Sequence, residues 1–331
     1  MTLEAFLQTL LLGITSGALY ALIALGYTIV YGIIELINFA HGDLFMLGSF
    51  MALTIIEVTS VRTVQVETNI NGRLITQTTE LHDTPLPTWL ALILALLASM
   101  AFCALLNVLI ERVAYRPLRN APRLAPLISA IGMSFILQNI GLWWRTASPQ
   151  GYHTVLGQHN MVTDIFGPEI GNKITFNWEQ LLVLVVTVPV LFILNYVIYN
   201  TRIGKAMRAT AQDREAAGLM GINVNRTIAF SFLIAGALAG AAGLIFGVYT
   251  DSTRWDVGFD AGLKAFTAAV LGGIGNLVGA TIGGFLIGII SAFTSRLFND
   301  AWTVAAVFSV LILILVFRPS GIMGEQVVEK V

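Results

Sequence analysis

Long uncharged apolar runs dominate this sequence. The first extends from Ala5 to Ile34, 30 residues without Asp, Glu, Lys or Arg. Five similar runs follow: Trp89–Ile110, Leu124–Trp144, Leu181–Tyr199, Thr227–Thr250 and Ala301–Phe317. A helix of about 20 apolar residues crosses the hydrocarbon core of a bilayer. Charged residues make up 11% of the chain, whereas soluble domains have about 25%. The sequence therefore predicts an all-α integral membrane protein with a single transmembrane domain, residues 1–331.

Two further apolar regions are each interrupted by polar or glycine residues. The first interruption contains Glu35, Asn38, His41, Gly42 and Asp43. The run after it, residues 44–56, has only 13 residues and is too short to cross alone. A crossing here must therefore include the polar stretch or be a half-helix. The second interruption is the glycine-rich stretch 272–276, which divides the uncharged run 265–295 into a shorter and a longer segment.

Paired interruptions in the two halves of a chain are typical of discontinuous helices around a transport pathway. We therefore expect about eight or nine transmembrane helices and an inverted repeat; residues 31–57 and 262–296 fit either count. Asn38, His41 and Asn276 are the candidate pathway residues, because amides can serve a zwitterion's polar ends without burying a charge. In the alternative interpretation, each amide caps its own helix. Asn139, within an uncharged run, is expected to hydrogen-bond between helices.

Three polar segments connect the apolar runs. Residues 58–87 contain alternating apolar and polar residues followed by Asn71-Gly72, which predicts a small β-hairpin near 61–81. Residues 145–178 form a second polar insertion. Arginines cluster after Ile110, and the 201–226 segment holds five of the chain's 18 basic residues. Excess Lys and Arg marks the cytoplasmic side. We therefore expect an outer N-terminus, a cytoplasmic C-terminus, and both insertions on the outer face.

The 201–226 segment also has signals of local order. Asp213 is expected to cap a short helix by accepting from its first free N–H groups. Gly221 is expected to end that helix in the left-handed conformation. Between them, Ala216 and Ala217 are predicted to lie on the surface. A short capped helix with small exposed residues suits docking into a groove of a partner.

Three motifs resemble one known family. In the 201–226 segment they are Gly204, Arg208, Asp213, Ala216, Ala217 and Gly221-Ile222-Asn223. Near the N-terminus, Ala21-Leu22-Ile23-Ala24-Leu25-Gly26-Tyr27 runs into Ile37-Asn38-Phe39-Ala40-His41-Gly42. Near the C-terminus, Gly272-Gly273-Ile274-Gly275-Asn276 is followed by Gly279-Ala280. Together they resemble the branched-chain amino acid ABC permeases of the LIV-H type over nearly the whole chain, apart from the two insertions.

The resemblance implies a permease subunit in a bacterial inner membrane, surrounded by lipid. It also implies a second related permease subunit, two cytoplasmic ATP-binding subunits and a substrate-binding protein at the outer face. By the same resemblance, residues 201–226 form the ATPase-coupling loop. The implied substrates are branched-chain or other neutral amino acids. Permeases of urea or short amides share these motifs and stay an alternative.

Other function classes find little support in the sequence. No Gly-x-x-x-x-Gly-Lys-Ser/Thr occurs, so the chain has no phosphate-binding loop of that kind and is not expected to be an enzyme. Four histidines and one cysteine show no metal-ligand spacing, and no cofactor is indicated. The net charge of −1 gives no reason to expect nucleic acid. A stand-alone secondary transporter remains an alternative, although the uncharged runs lack the Asp, Glu or Lys that proton coupling requires.

Overall fold

A computed structural model describes most of the chain. The described residues are 2–36, 38–59, 63–70, 73–80, 86–119, 121–122, 124–152, 156, 160–167, 171 and 174–324.

Helices account for nearly all of the regular structure. In chain order they are α1 (Leu3–Ile34), α2 (Ala40–Thr59), α3 (Thr88–Ile110), α4 (Leu124–Arg145), α5 (Met161–Phe166), α6 (Trp178–Asn200), α7 (Arg202–Gln212), α8 (Arg214–Leu219), α9 (Val224–Thr250), α10 (Val257–Gly272), α11 (Leu277–Leu297) and α12 (Ala301–Phe317). Within the described ranges, seven helices are long and apolar enough to cross a membrane. These are α1, α2, α3 with its continuation to Leu118, α4, α6, α9 and α11. The predicted all-α membrane fold is confirmed, while the exact number of crossings stays a prediction.

Two short antiparallel ribbons complete the structure. β1 (Thr63–Ile70) pairs with β2 (Arg73–Glu80), with Asn69 opposite Leu74. The predicted turn residues 71–72 lie outside the described residues, so the hairpin and its outer position stay predictions. β3 (Gln150–Gly151) pairs with β4 (Ser252–Thr253) and joins the second polar insertion to the end of α9.

Glycines let α1 and α11 approach each other closely. A Cβ atom added at Gly13 would lie 2.8 Å from the Ile289 Cα, and one at Gly17 would lie 2.7 Å from the Phe285 Cα. Both distances are shorter than carbon atoms tolerate, so only glycine permits this backbone separation. Small residues four apart in α1 therefore form a helix–helix contact, as such spacing does in other membrane proteins.

Helix α9 lies at the centre of the bundle, between α2 and α3. A Cβ at Gly240 would meet the Ser99 carbonyl oxygen of α3 at 2.3 Å, and one at Gly243 would meet the Phe45 carbonyl oxygen of α2 at 2.5 Å. Cys103 is buried at this junction, and its thiol donates to the Leu44 carbonyl at 3.2 Å. The glycine-rich pattern of α9 therefore serves close packing, and the cysteine has a packing role.

The first interruption is shorter than the sequence suggested. Helix α2 begins at Ala40, so its first turn includes His41 and Asp43 and the helix reaches 20 residues. Gly42 lets α10 approach this first turn closely, because a Cβ there would lie 2.3 Å from the Gly258 carbonyl oxygen of α10. The helix thus includes the polar stretch. Asp43 therefore lies inside a candidate span, although the uncharged runs themselves contain no acidic residue.

The second interruption separates α10 from α11, as predicted. Helix α10 has 16 residues and α11 has 21. Gly273 and Gly275 between them have φ angles of 106° and 96°. Residues with a Cβ atom rarely adopt this conformation, so the two glycines allow the chain to reverse within four residues.

Candidate functional site

Side-chain caps order the 201–226 segment into two helices. Thr201 accepts from the Gly204 N–H at the start of α7. Asp213 accepts from the N–H groups of Glu215 and Ala216, both at 2.9 Å, and starts α8. Gly221 follows α8 with φ of 82°. The predicted cap and the predicted left-handed glycine are both confirmed.

Helix α7 folds back onto the end of α6. Gly204 is buried there, and an added Cβ would lie 2.1 Å from the Ile198 carbonyl oxygen. The Arg208 guanidinium donates to the same carbonyl and lies 5.3 Å from the centre of the Tyr199 ring. A cation near the last carbonyls of a helix is favourable, because the helix dipole is negative at that end. Gly204 and Arg208 therefore hold α7 against the end of α6.

Helix α8 is attached to the end of α1. The Arg214 guanidinium donates to the Ile33 carbonyl at 2.8 Å, one of the free carbonyls at the end of α1. Ala217 is 4% exposed, so the prediction that it lies on the surface is wrong; its methyl group packs against the bundle while Ala216 remains exposed. At 3.6 residues per turn, consecutive side chains point in directions about 100° apart, so one alanine can face the bundle while its neighbour faces outward.

Two apolar side chains at the end of α8 were not predicted as site residues. Leu219 is 89% exposed and Met220 is 84% exposed. Among described residues in this segment they offer the largest unpartnered apolar surface, directly before Gly221. A signal was present in the sequence, because Leu219 and Met220 are two large adjacent apolar side chains in a predominantly polar segment.

A cavity of about 340 Å³ lies beside the contact between α8 and α1 and is lined by residues from the end of α1 and from the 201–226 segment. Glu35, Arg119 and Arg214 contribute charged groups to its lining. Arg119 pairs with the buried carboxylate of Glu111 and donates to the Asn225 side chain at 2.6 Å. Burial lowers the pKa of Arg119, and the Glu111 carboxylate opposes that shift. The arginine therefore ties the end of α3 to the start of α9.

Two of the predicted pathway residues, Asn38 and His41, lie in the first interruption. Asn38 is 1% exposed, and its side-chain oxygen accepts from the Tyr115 hydroxyl at 2.9 Å. His41 is fully buried against Gly26, and its ring meets the Tyr27 ring edge-on with centroids 4.7 Å apart. These polar groups lie in the packed core of α1, α2 and the end of α3.

Asn276 lies in a separate network. Its side-chain oxygen accepts from the Gly279 N–H at 3.0 Å and caps α11, while its amide nitrogen donates to the Met323 carbonyl at 2.9 Å. In the same segment, the Met323 N–H donates to the Gly272 carbonyl at 2.9 Å. The geometry of Asn276 thus matches the capping alternative. No sequence signal indicated that residues 318–324 would pack on this turn.

Asp43 has two polar neighbours on α4. The Ser134 hydroxyl donates to one carboxylate oxygen, and the Gln138 amide donates to the other at 3.2 Å. Asn139 was predicted to link helices, but it donates to the Phe135 carbonyl of its own helix. Its neighbour Gln138 makes the interhelical contact instead, because it faces α2.

Two cavities flank α10 on different sides. The larger, about 820 Å³, is mainly polar and lies between α1, α9, α10 and α11. In it the Lys264 ammonium lies 5.7 Å from the centre of the Tyr20 ring. The second, about 380 Å³, lies between α1, α2, α4 and α10 and includes Asp43 in its lining.

Comparison with known proteins extends over almost the whole chain. A family described as "Branched-chain amino acid transport system / permease component" matches residues 9–317. The chain is 42% identical over 326 residues to the high-affinity branched-chain amino acid transport system permease protein BraD of Pseudomonas aeruginosa, covering 98% of both chains. It is 38% identical over 332 residues to LivH of Escherichia coli, named in the same words, again covering 98% of both.

A more distant relative carries a different substrate in its name. The fructose import permease protein FruG of Bifidobacterium longum is 27% identical over 252 residues, which cover 74% of this chain and 71% of FruG. With seven candidate spans and a match across residues 9–317, this multi-pass membrane protein belongs to the family of branched-chain amino acid transport system permease components.

Proposed function

We propose that the chain is the permease subunit of an ATP-driven importer for branched-chain or other neutral amino acids. The observation that carries this proposal is the similarity to BraD and LivH over 98% of each chain. Such a subunit forms half of the translocation pathway, and a second related permease forms the other half. The N-terminus lies outside and the C-terminus in the cytoplasm of the bacterial inner membrane.

Helix α8 is the element through which ATP hydrolysis on separate subunits drives the switch. Its exposed Leu219 and Met220 suit insertion into a groove of an ATP-binding subunit, since a few apolar anchors carry most of the binding energy of an interface. Arg214 joins the same helix to the end of α1. Movement of α8 with the ATPase therefore pulls directly on the helix that leads into the first interruption.

The transport cycle follows from differential affinity. A binding protein at the outer face delivers the amino acid to the outward-facing permease pair, and closure of the ATPases favours the inward-facing state. A ligand or nucleotide shifts such an equilibrium only by as much as its affinity differs between the two states. In this proposal Asn38 and His41 line the pathway when it opens, and the close-packed arrangement of the first interruption belongs to a closed state.

Reconstitution tests the substrate class. The permease pair, the ATPases and the binding protein would be assembled in proteoliposomes, and ATP-dependent uptake of labelled leucine would be measured with unlabelled competitors. We expect inhibition by isoleucine and valine and none by urea. Inhibition by urea without inhibition by branched-chain amino acids would overturn the substrate assignment and favour the short-amide alternative.

Co-purification tests the docking role of α8. We expect Leu219→Asp to abolish recovery of the ATPases with the permease, because it places a charge in an apolar interface, and Ala216→Asp to weaken it. Gly221→Pro should leave membrane insertion intact and abolish uptake, since proline cannot adopt a positive φ. The matched control is Ile165→Asp, an equally apolar exposed position in α5. Normal recovery of the ATPases with Leu219→Asp would refute the docking role.

A further inference from the structure

The 380 Å³ cavity between α1, α2, α4 and α10 has two chemically different parts. One part is aromatic and is lined by Tyr27, Phe39, Trp255, Phe259 and Phe266. The other is polar, where Asp43, Ser134 and Gln138 meet. Its volume falls within the range of about 300–1,000 Å³ that small-molecule sites occupy.

Asp43 is held in a defined position at the polar end. The residue is 2% exposed and lies in the first turn of α2. Each carboxylate oxygen accepts one hydrogen bond from α4, one from Ser134 and one from Gln138. An ionised carboxylate has about four acceptor sites, so acceptor capacity remains for a ligand.

Charge compensation is missing around this carboxylate. Across the described ranges, the ion pairs join Arg119 to Glu111, Arg145 to Glu57 and Arg254 to Asp256, and none includes Asp43. The described lining of the cavity contains no Lys or Arg, whereas Asp256 and Asp260 add acidic groups. A carboxylate within a membrane span is costly without a positive partner, and such residues commonly mark substrate pathways.

The aromatic part of the cavity suits the aliphatic side chain of an amino acid. Ring faces attract an ammonium group electrostatically and also bury aliphatic carbon. Phe39 and Phe266 lie with ring centroids 6.5 Å apart, and Tyr27 lies 6.1 Å from Phe266. A branched aliphatic side chain fits against such a wall, while urea has neither a positive charge for Asp43 nor an aliphatic group for the rings.

We propose that this cavity is a substrate subsite in which Asp43 binds the α-ammonium group of a neutral amino acid and the aromatic wall contacts its aliphatic side chain. The inference rests on the proposed importer function and adds a specificity-determining residue to it. Ser134 and Gln138 act as positioning residues, because their hydrogen bonds orient the Asp43 carboxylate.

The first experiment removes the charge and keeps the shape. In proteoliposomes containing the complete importer, Asp43→Asn should lower leucine uptake at limiting leucine by about tenfold or more, since a charge-assisted hydrogen bond to the ammonium group is lost. Stimulation of ATP hydrolysis by the loaded binding protein should persist, which shows that the complex is assembled and coupled. Asp43→Glu should restore part of the uptake, and Asp164→Asn, the same change at an exposed position, should have no effect.

The outcomes separate the two proposals. If the wild-type importer carries no leucine, the proposed function fails. If it carries leucine and Asp43→Asn carries it equally well, the importer stands and the subsite is refuted.

A second experiment measures ligand binding by protection of a cysteine from modification, and it does not depend on transport by Asp43→Asn. Ile131 lines the cavity and is partly exposed, and Cys103 is the chain's single cysteine. In a Cys103→Ala background, millimolar leucine should slow modification of Ile131→Cys by a small thiol reagent, and 4-methylpentanoate, which lacks the ammonium group, should not. Adding Asp43→Asn should remove the protection by leucine. Equal protection by both compounds would refute a role for Asp43. Inert thiols in every nucleotide state would mean that lipid or the second permease covers the cavity, which also refutes the subsite.

Discussion

The two interruptions of the bundle look alike in sequence and differ in structure. The first, between α1 and α2, buries the side chains of Asn38 and His41 in the core. The amide nitrogen of Asn38 has no hydrogen-bond partner among the described groups. The second, between α10 and α11, satisfies both ends of the Asn276 amide with backbone groups.

This difference shows that a polar, glycine-marked interruption has at least two uses. Backbone from residues 318–324 covers the second interruption and hydrogen-bonds to it, so this turn has a structural role. The first interruption buries the amide nitrogen of Asn38 without a hydrogen-bond partner among the described groups. Such a buried donor is costly unless a ligand or another conformation provides an acceptor. A pathway role is therefore better supported for the first interruption, and the inverted repeat stays a prediction.

The largest effect is expected from overpacking the second interruption. A Cβ at Gly272 would lie 2.0 Å from the Gly279 carbonyl oxygen, so Gly272→Val should lower the free energy of unfolding by about 3 kcal/mol. Thermal unfolding of the purified protein in detergent measures this. The control is Gly132→Ala in α4, where no atom lies within 4 Å of the new Cβ apart from the adjoining residues and the backbone of α4 itself. Equal melting temperatures for both variants would show that the turn accommodates the added side chain and would contradict the prediction.

A smaller loss is expected at the first interruption. Asn38→Ala leaves the buried Tyr115 hydroxyl without its acceptor, which should cost about 2 kcal/mol. Tyr115→Phe removes the donor as well, so the double variant should be less destabilised than the sum of the single variants. Chemical denaturation of all four proteins measures the coupling. Strict additivity would mean that the hydrogen bond contributes nothing.

The cap at Asn276 should matter less. Asn276→Ala removes the N-cap of α11 and the contact with Met323, which should cost about 1 kcal/mol. Asn276→Asp keeps the capping oxygen and loses only the donor, so it should retain most of the stability. Uptake by the reconstituted importer should be near normal for both variants. Loss of uptake at full stability would instead place Asn276 in the pathway.

The smallest change, and the one most specific to transport, is in thiol reactivity. In a Cys103→Ala background, Asn38→Cys should be inert in the resting importer and react with water-soluble reagents during ATP turnover. Asn276 is partly exposed, so the thiol of Asn276→Cys should react at the same rate in every nucleotide state. Modification rates followed by mass spectrometry test both. A modification rate of Asn38→Cys that is the same in every nucleotide state would contradict a pathway role for the first interruption.

Local signals in the sequence determined the membrane fold, the caps of α8 and the second turn. Hydropathy is summed over about 20 neighbouring residues, and the Asp213 cap joins groups two and three residues apart. The close packing at Gly13, Gly17 and along α9 also follows from local composition, because a missing Cβ allows backbone contact whatever the partner helix.

Only the tertiary structure decided which polar groups meet. The bonds from Ser134 and Gln138 to Asp43 span 91 and 95 residues, and the contact of Asn276 with Met323 spans 47. Burial of Ala217 likewise depends on where α8 lies against the bundle. Such contacts depend on how helices are rotated and placed, which neither hydropathy nor capping patterns specify, because both describe a helix in isolation.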